Sequence, residues 1–108
     1  MNQLCCEFKQ GNKVLAKVIR LDDYCFRLMV RVDGLAKWTA ADYSLQGNAI
    51  LNAHDFVYKT LKKSQNKNYT MVHYEYISQY RESYYYKYKE VAGVYSFVGR
   101  KAGKTKII

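Results

Sequence analysis

Between residues 48 and 64, apolar side chains fall at Ala49, Ile50, Ala53, Phe56, Val57 and Leu61, with Thr60 among them. That three-and-four spacing lines one face of an α-helix. A helix with one apolar face needs a second layer to bury it, and the flanking sequence offers only strand-like material. The spacing therefore predicts a single amphipathic helix held against a sheet. Asn48 after Gly47 reads as its N-cap, and Lys59, Lys62 and Lys63 fall in the last turns, where positive charge opposes the negative end of the helix dipole.

Upstream of the helix the apolar period changes to two. Phe26, Leu28, Val30 and Val32 alternate with Arg27 and Arg31, the pattern of a half-buried strand. Val14 to Leu21 is also rich in β-formers, and Asp22-Asp23-Tyr24 reads as a tight turn. Such a turn pairs Leu21 with Phe26 and Ile19 with Leu28, and sets Arg20 opposite Arg27. Like charges placed face to face cost stability unless solvent or an anion compensates them, so this pair points to an anion-facing surface. Gly11-Asn12 marks another turn and Leu4 to Lys9 a first strand, which gives a meander over residues 3–33 closed by Asp33-Gly34. Trp38, in the connection to the helix, reads as a core anchor.

Downstream, the polar stretch from Ser64 to Asn68 leads into Tyr69–Ile77. There Val72, Tyr74 and Tyr76 share one strand face, with Met71, His73 and Glu75 on the other. Tyr84, Tyr86 and Tyr88 share a second face opposite Tyr85, Lys87 and Lys89, with residues 78–83 as the connecting loop. A helix over 79–92 would place Tyr80, Tyr84 and Tyr88 four apart and stop at Gly93. Tyrosine density favours the pleated reading. Val94 to Val98 adds a last strand. The fold expected is α+β: an N-terminal antiparallel β-meander, one central amphipathic helix and C-terminal Tyr-rich antiparallel strands. Residues 1–98 form the one domain and 99–108 a basic C-terminal tail.

Charge narrows the function. The 108 residues carry 18 Lys plus Arg against 9 Asp plus Glu, a formal charge of +9 and a pI near 9.5. Such a balance favours an anionic partner and argues against mimicry of DNA. The half from residue 55 onward holds eleven basic and four acidic side chains, whereas residues 1–54 hold seven and five. Tyr and Lys interleave from Tyr84 to Lys89. Aromatic faces stack on unpaired bases while ammonium groups meet phosphates, so the reading is non-specific binding of single-stranded nucleic acid. The residues assigned to it are Arg20, Arg27, Arg31, Arg81, Tyr85, Lys87, Lys89, Arg100, Lys101 and Lys104.

Other chemistries fit less well. Gly99-Arg100-Lys101-Ala102-Gly103-Lys104-Thr105 resembles a phosphate-binding P-loop but has three residues between its glycines where four are needed, and only three residues follow it. The adjacent Cys5 and Cys6, distant Cys25, and His54 and His73 lack metal-ligand or disulfide spacing, so no metal, cofactor or disulfide framework is expected. His73 and Glu75 on one strand face, with Arg81, Lys87 or Tyr85 nearby, would suit a small metal-independent ribonuclease. No stretch is long and apolar enough for a membrane span or a secretory leader, and a cytoplasmic setting is expected. A Lys-, Asn- and Tyr-rich chain without proline has the style of phage or mobile-element accessory proteins. Some of those inhibit a host enzyme or defence complex, so an acidic host protein is the alternative partner.

Overall fold

The computed structural model describes residues 2–31, 38–77, 79–91 and 94–106, with the backbone alone described from residue 90 onward. Seven strands and one helix follow one another as β1 (Gln3–Gln10), β2 (Lys13–Asp22), β3 (Cys25–Arg31), β4 (Trp38–Tyr43), α1 (Gln46–Leu61), β5 (Tyr69–Ile77), β6 (Tyr80–Val91) and β7 (Val94–Lys106). All strands join one antiparallel sheet in the order β4-β3-β2-β1-β5-β6-β7. Chain order and sheet order differ at one place. After β4 the helix carries the chain back across the sheet, so that β5 pairs with β1.

The expected α+β class is what the chain adopts, and α1 lies over β1 to β4 on one face. Ala49, Ala53, Val57 and Leu61 form its buried stripe. The two alanines bring the helix backbone close to the sheet, where Cys6, Phe8, Ala16 and Val18 are fully covered. Two bulges in the β1–β2 ladder thicken this layer. Where a bulge sets two residues against one, both can turn toward the same side. Cys5 and Cys6 are accordingly both buried, as are Leu15 and Ala16. Burial pushes the Cys6 thiol up to about 12, and the Cys5 thiol is raised for the same reason. Both are unreactive at neutral pH.

Several local expectations are corrected. Helix α1 begins at Gln46, two residues before Asn48, with Leu45 as an N-cap that makes no side-chain bond. Asn48 is an interior residue whose carbonyl accepts a bond from the Asn52 side chain. The β2–β3 register is displaced by one, because a bulge follows Arg20. Ile19 stands opposite Arg27, and Arg20 stands opposite Phe26, so the facing arginine pair does not form. Trp38 is no connection residue but the start of β4, a short edge strand largely open to solvent. An edge strand without a buried face has no apolar alternation to announce it.

In the C-terminal half, β6 starts at Tyr80, so residues 80–83 of the expected loop over 78–83 are strand. Tyr76↔Arg81, Glu75↔Glu82 and Tyr74↔Ser83 pair between β5 and β6, and Ser83 is buried. The helical alternative for 79–92 is excluded. Residues 99–106 do not form a free tail: β7 runs to Lys106 and pairs along β6, with Lys87 opposite Gly99, Tyr85 opposite Lys101 and Glu82 opposite Lys104. Twelve residues of β6 supply the backbone partners that recruit this Gly- and Lys-rich segment.

Candidate nucleic-acid interface

Alternation gives the sheet two unlike faces. On β6, Tyr86 and Tyr88 turn to the side of α1 and pack on the core, while Tyr85, Lys87 and Lys89 point the other way and are exposed. The register extends this second face across the sheet. One row runs Met29, Lys17, Glu7, Val72 and Tyr85. A neighbouring row runs Lys9, Thr70 and Lys87. Arg31 and Arg27 belong to the same face of β3, since Met29 lies between them at the strand period. Among the described elements, none packs on this face.

Its cations are in different states. Arg27 makes a two-pronged bond to Asp42 on β4, Nε to Oδ1 at 2.8 Å and a terminal nitrogen to Oδ2 at 3.1 Å. The guanidinium holds the Asp42 carboxyl below its usual range, and Asp42 raises Arg27 in turn. Arg20, at the α1 side, bonds Asp23 in the β2–β3 turn. Arg81 rests over the Tyr74 ring at 4.4 Å, with its buried Nε lacking a hydrogen-bond partner among the described residues. Arg31, Lys9, Lys87 and Lys89 enter no ion pair among the described residues. Lys17 lies 4.9 Å over the Trp38 ring in a cation–π contact and stands opposite Glu7 in the register.

The one carboxylate in the middle of the face, Glu7, accepts a 2.6 Å bond from the Tyr74 hydroxyl. Burial, and then that bond, raise the Tyr74 pKa well above the usual tyrosine range. Tyr76 donates to the Leu4 carbonyl at 2.8 Å. These two tyrosines knit β5 to β1, whereas Tyr85 makes no such bond among the described residues and is 37% exposed.

Of the assigned residues, then, Arg31, Tyr85, Lys87 and Lys89 share one face with uncommitted charge or ring. Arg27 and Arg81 share that face but are engaged locally, and Arg20 lies elsewhere. Arg100 and Lys101 fall opposite Tyr86 and Tyr85, and Lys104 opposite Glu82, by backbone register; their side chains lie outside the described residues. Lys9 and Lys17 join the face although the sequence reading passed over them. Their signal was the β1–β2 alternation, with polar side chains at Glu7, Lys9 and Lys17 beside buried Cys6, Phe8, Ala16 and Val18.

His73 and Glu75 lie on the α1 side of the sheet, Nε2 to Oε1 at 3.9 Å, in a groove of about 600 Å³ shared with Arg20, Cys5 and Gln46. Arg81, Tyr85 and Lys87 are on the opposite face, so the sheet itself separates the residues expected to form a ribonuclease site. Among the described residues no cluster of three or more His, Cys, Asp or Glu could hold a metal ion, and no helix is long and apolar enough to cross a membrane. The chain matches no protein-family model, and no curated protein and no solved structure is detectably similar to it.

Proposed function

We propose that this protein binds single-stranded nucleic acid, without sequence preference, on the sheet face turned away from α1. The observation that carries the reading is the set of cations without an ion pair among the described residues, Lys9, Arg31, Lys87 and Lys89, spread over one face around the exposed ring of Tyr85. Adjacent strands lie about 4.8 Å apart and same-face residues about 7 Å apart along a strand, so these charges form a lattice that a flexible phosphate backbone can follow. The composition supports an accessory protein of a phage or mobile element, and three free cysteines support a reducing, cytoplasmic setting.

The test is binding of a labelled single-stranded oligonucleotide across a salt series. With three to five phosphates engaged, log K should fall with log salt at a slope of roughly −2 to −3.5. Binding that ignores salt, or none at low ionic strength, overturns the reading. A protein-directed inhibitor is the second reading, favoured by the exposed Leu45, Leu51 and Tyr58 on and beside the outer side of α1. Partners recovered on the immobilised chain that survive nuclease digestion and are lost with Leu51→Asp would move the assignment there.

A further inference from the structure

The two edges of the sheet are defended unequally. β7, at one end of the strand order, carries Arg100, Lys101, Lys104 and Lys106, and its ladder with β6 shifts register between Lys87 and Tyr88. Basic residues and bulges are among the devices that keep a sheet edge from recruiting another strand. β4, at the other end, has neither. Its six residues include no Lys, Arg or Pro, and it pairs with β3 from Trp38 to Tyr43 without a register shift. Thr39, Ala40, Ala41 and Asp42 are exposed. Among the described elements β4 neighbours only β3 and α1, so its outer backbone N–H and C=O groups have no strand to pair with.

Charge decides which strand fits there. The register puts Trp38, Ala40 and Asp42 on the open face, opposite Arg31, Met29 and Arg27. One end of β4 is therefore cationic, with Arg31 beside Trp38 and Lys17 over its ring at 4.9 Å. The other end holds the Asp42 carboxylate. An antiparallel second β4 centred on Ala40 sets Ala40 against its own copy and Trp38 against Asp42 of the second copy, twice by symmetry. Each carboxylate then stands at the cationic end of the other strand, where opposite charges stabilise the pairing. Arg27 occupies one acceptor site on each Asp42 oxygen, at 2.8 and 3.1 Å, so acceptor capacity remains. The Trp38 indole N–H, without a hydrogen bond among the described residues, gains that acceptor. On the α1 face the same alignment sets Thr39 against Ala41, two small side chains that let the strands close to about 4.8 Å.

We propose that β4 pairs with β4 of a second copy of this chain, antiparallel about a two-fold axis that passes through Ala40 and stands normal to the sheet. The pairing joins the two seven-stranded sheets into one. An axis in that direction keeps both α1 helices on one side and both open faces on the other. With the nucleic-acid reading above, the dimer offers one strand a cationic face of twice the width. The +9 charge of each copy opposes association, and the Trp38–Asp42 ends offset it locally. Six residues of strand bury less than the roughly 1,600 Å² of a standard interface, so the dimer forms at high micromolar concentration rather than nanomolar.

The experiment is sedimentation equilibrium of the full chain, free of nucleic acid, across about 5–500 μM. The native chain should pass from monomer to dimer over that range. Ala40→Lys and Ala40→Glu each set like charges face to face on the axis, and each alone should dimerise at least about tenfold more weakly. Ala40 is exposed, so both variants should melt as the native chain does at low concentration. Mixed in equal amounts, the two should recover association, since Lys then meets Glu across the axis. A native chain that stays monomeric throughout overturns the proposal. So does an Ala40→Lys variant that dimerises as well as the native chain, which would place the contact elsewhere, such as at Leu51 on α1. A mixture that fails to associate overturns the pairing about Ala40. If the native chain dimerises but binds no oligonucleotide, the open-face reading alone is lost.

Discussion

The two faces of the sheet are made from the same strands but obey different rules. On the α1 side, Phe8, Val18, Leu28 and Met71 are buried, and aromatic rings pack against one another: His54 stands edge-on to Phe8 at 4.7 Å, and its Nδ1 shares a 2.7 Å hydrogen bond with the Tyr69 hydroxyl. On the other side, apolar burial is confined to places such as Val72, which lies between Glu7 and Tyr85 in the register, and the remainder is cationic or tied into Tyr–Glu and Arg–Asp pairs. Tyrosine serves both faces. Its ring fills the first and stands exposed at Tyr85 on the second, so the count of tyrosines alone says nothing about which are structural.

The sharpest way to break this contrast is from the core. Phe8→Ala empties a fully buried ring site beneath His54 and Tyr69, and should cost about 3–5 kcal/mol in chemical denaturation. A loss below about 1 kcal/mol would mean that the α1 side is not the packed face. Next in size is the pair on β6. Tyr86→Ala should lower the melting temperature, because its ring packs on the core. Tyr85→Ala should leave the melt unchanged and weaken oligonucleotide binding by about 1–3 kcal/mol if one base stacks there. Equal phenotypes for the two would erase the division between the faces.

A smaller effect tests the α1 side by pH. Burial lowers the His54 pKa below its usual value, so the unfolded chain binds that proton more readily than the folded one. Stability from this group is complete above the unfolded histidine pKa and declines as pH falls through and below it. The melting temperature should drop between pH 7.5 and 5.5, and His54→Gln should flatten that drop. An unchanged slope in the variant would exclude His54 as its cause. Smallest is Asp42→Asn on the open face. Removing the carboxylate frees Arg27 from its two-pronged bond, so oligonucleotide affinity should rise slightly with little change in the melt. A fall in affinity would show that Arg27 needs Asp42 to face the ligand.

Much of the fold was legible because period two and period 3.6 are local signals. The stripe of α1, the alternation of β3 and β5 and the division of Tyr84, Tyr86 and Tyr88 from Tyr85, Lys87 and Lys89 all follow from which residues sit two or four apart. Most of the candidate interface follows with them, since Arg31, Tyr85, Lys87 and Lys89 needed only the strand period to be placed on one side.

What the strand period could not carry was the alignment of one strand with the next. A single bulge after Arg20 moved Arg27 from an arginine neighbour to Ile19 and let it find Asp42 fifteen residues away. Lys9 and Lys87 are remote in sequence and share one register row only because α1 returns the chain so that β5 lies beside β1. Strands β4 and β7 take shape at the edges, where backbone pairing with a longer neighbour suffices and no apolar side chain need announce it. Sequence by itself determined the elements and the sign of the charge on each. Register, the choice of open face and the gathering of the lysines were decided by long-range pairing, whose energy lies in hydrogen bonds and packing between segments that no local window contains.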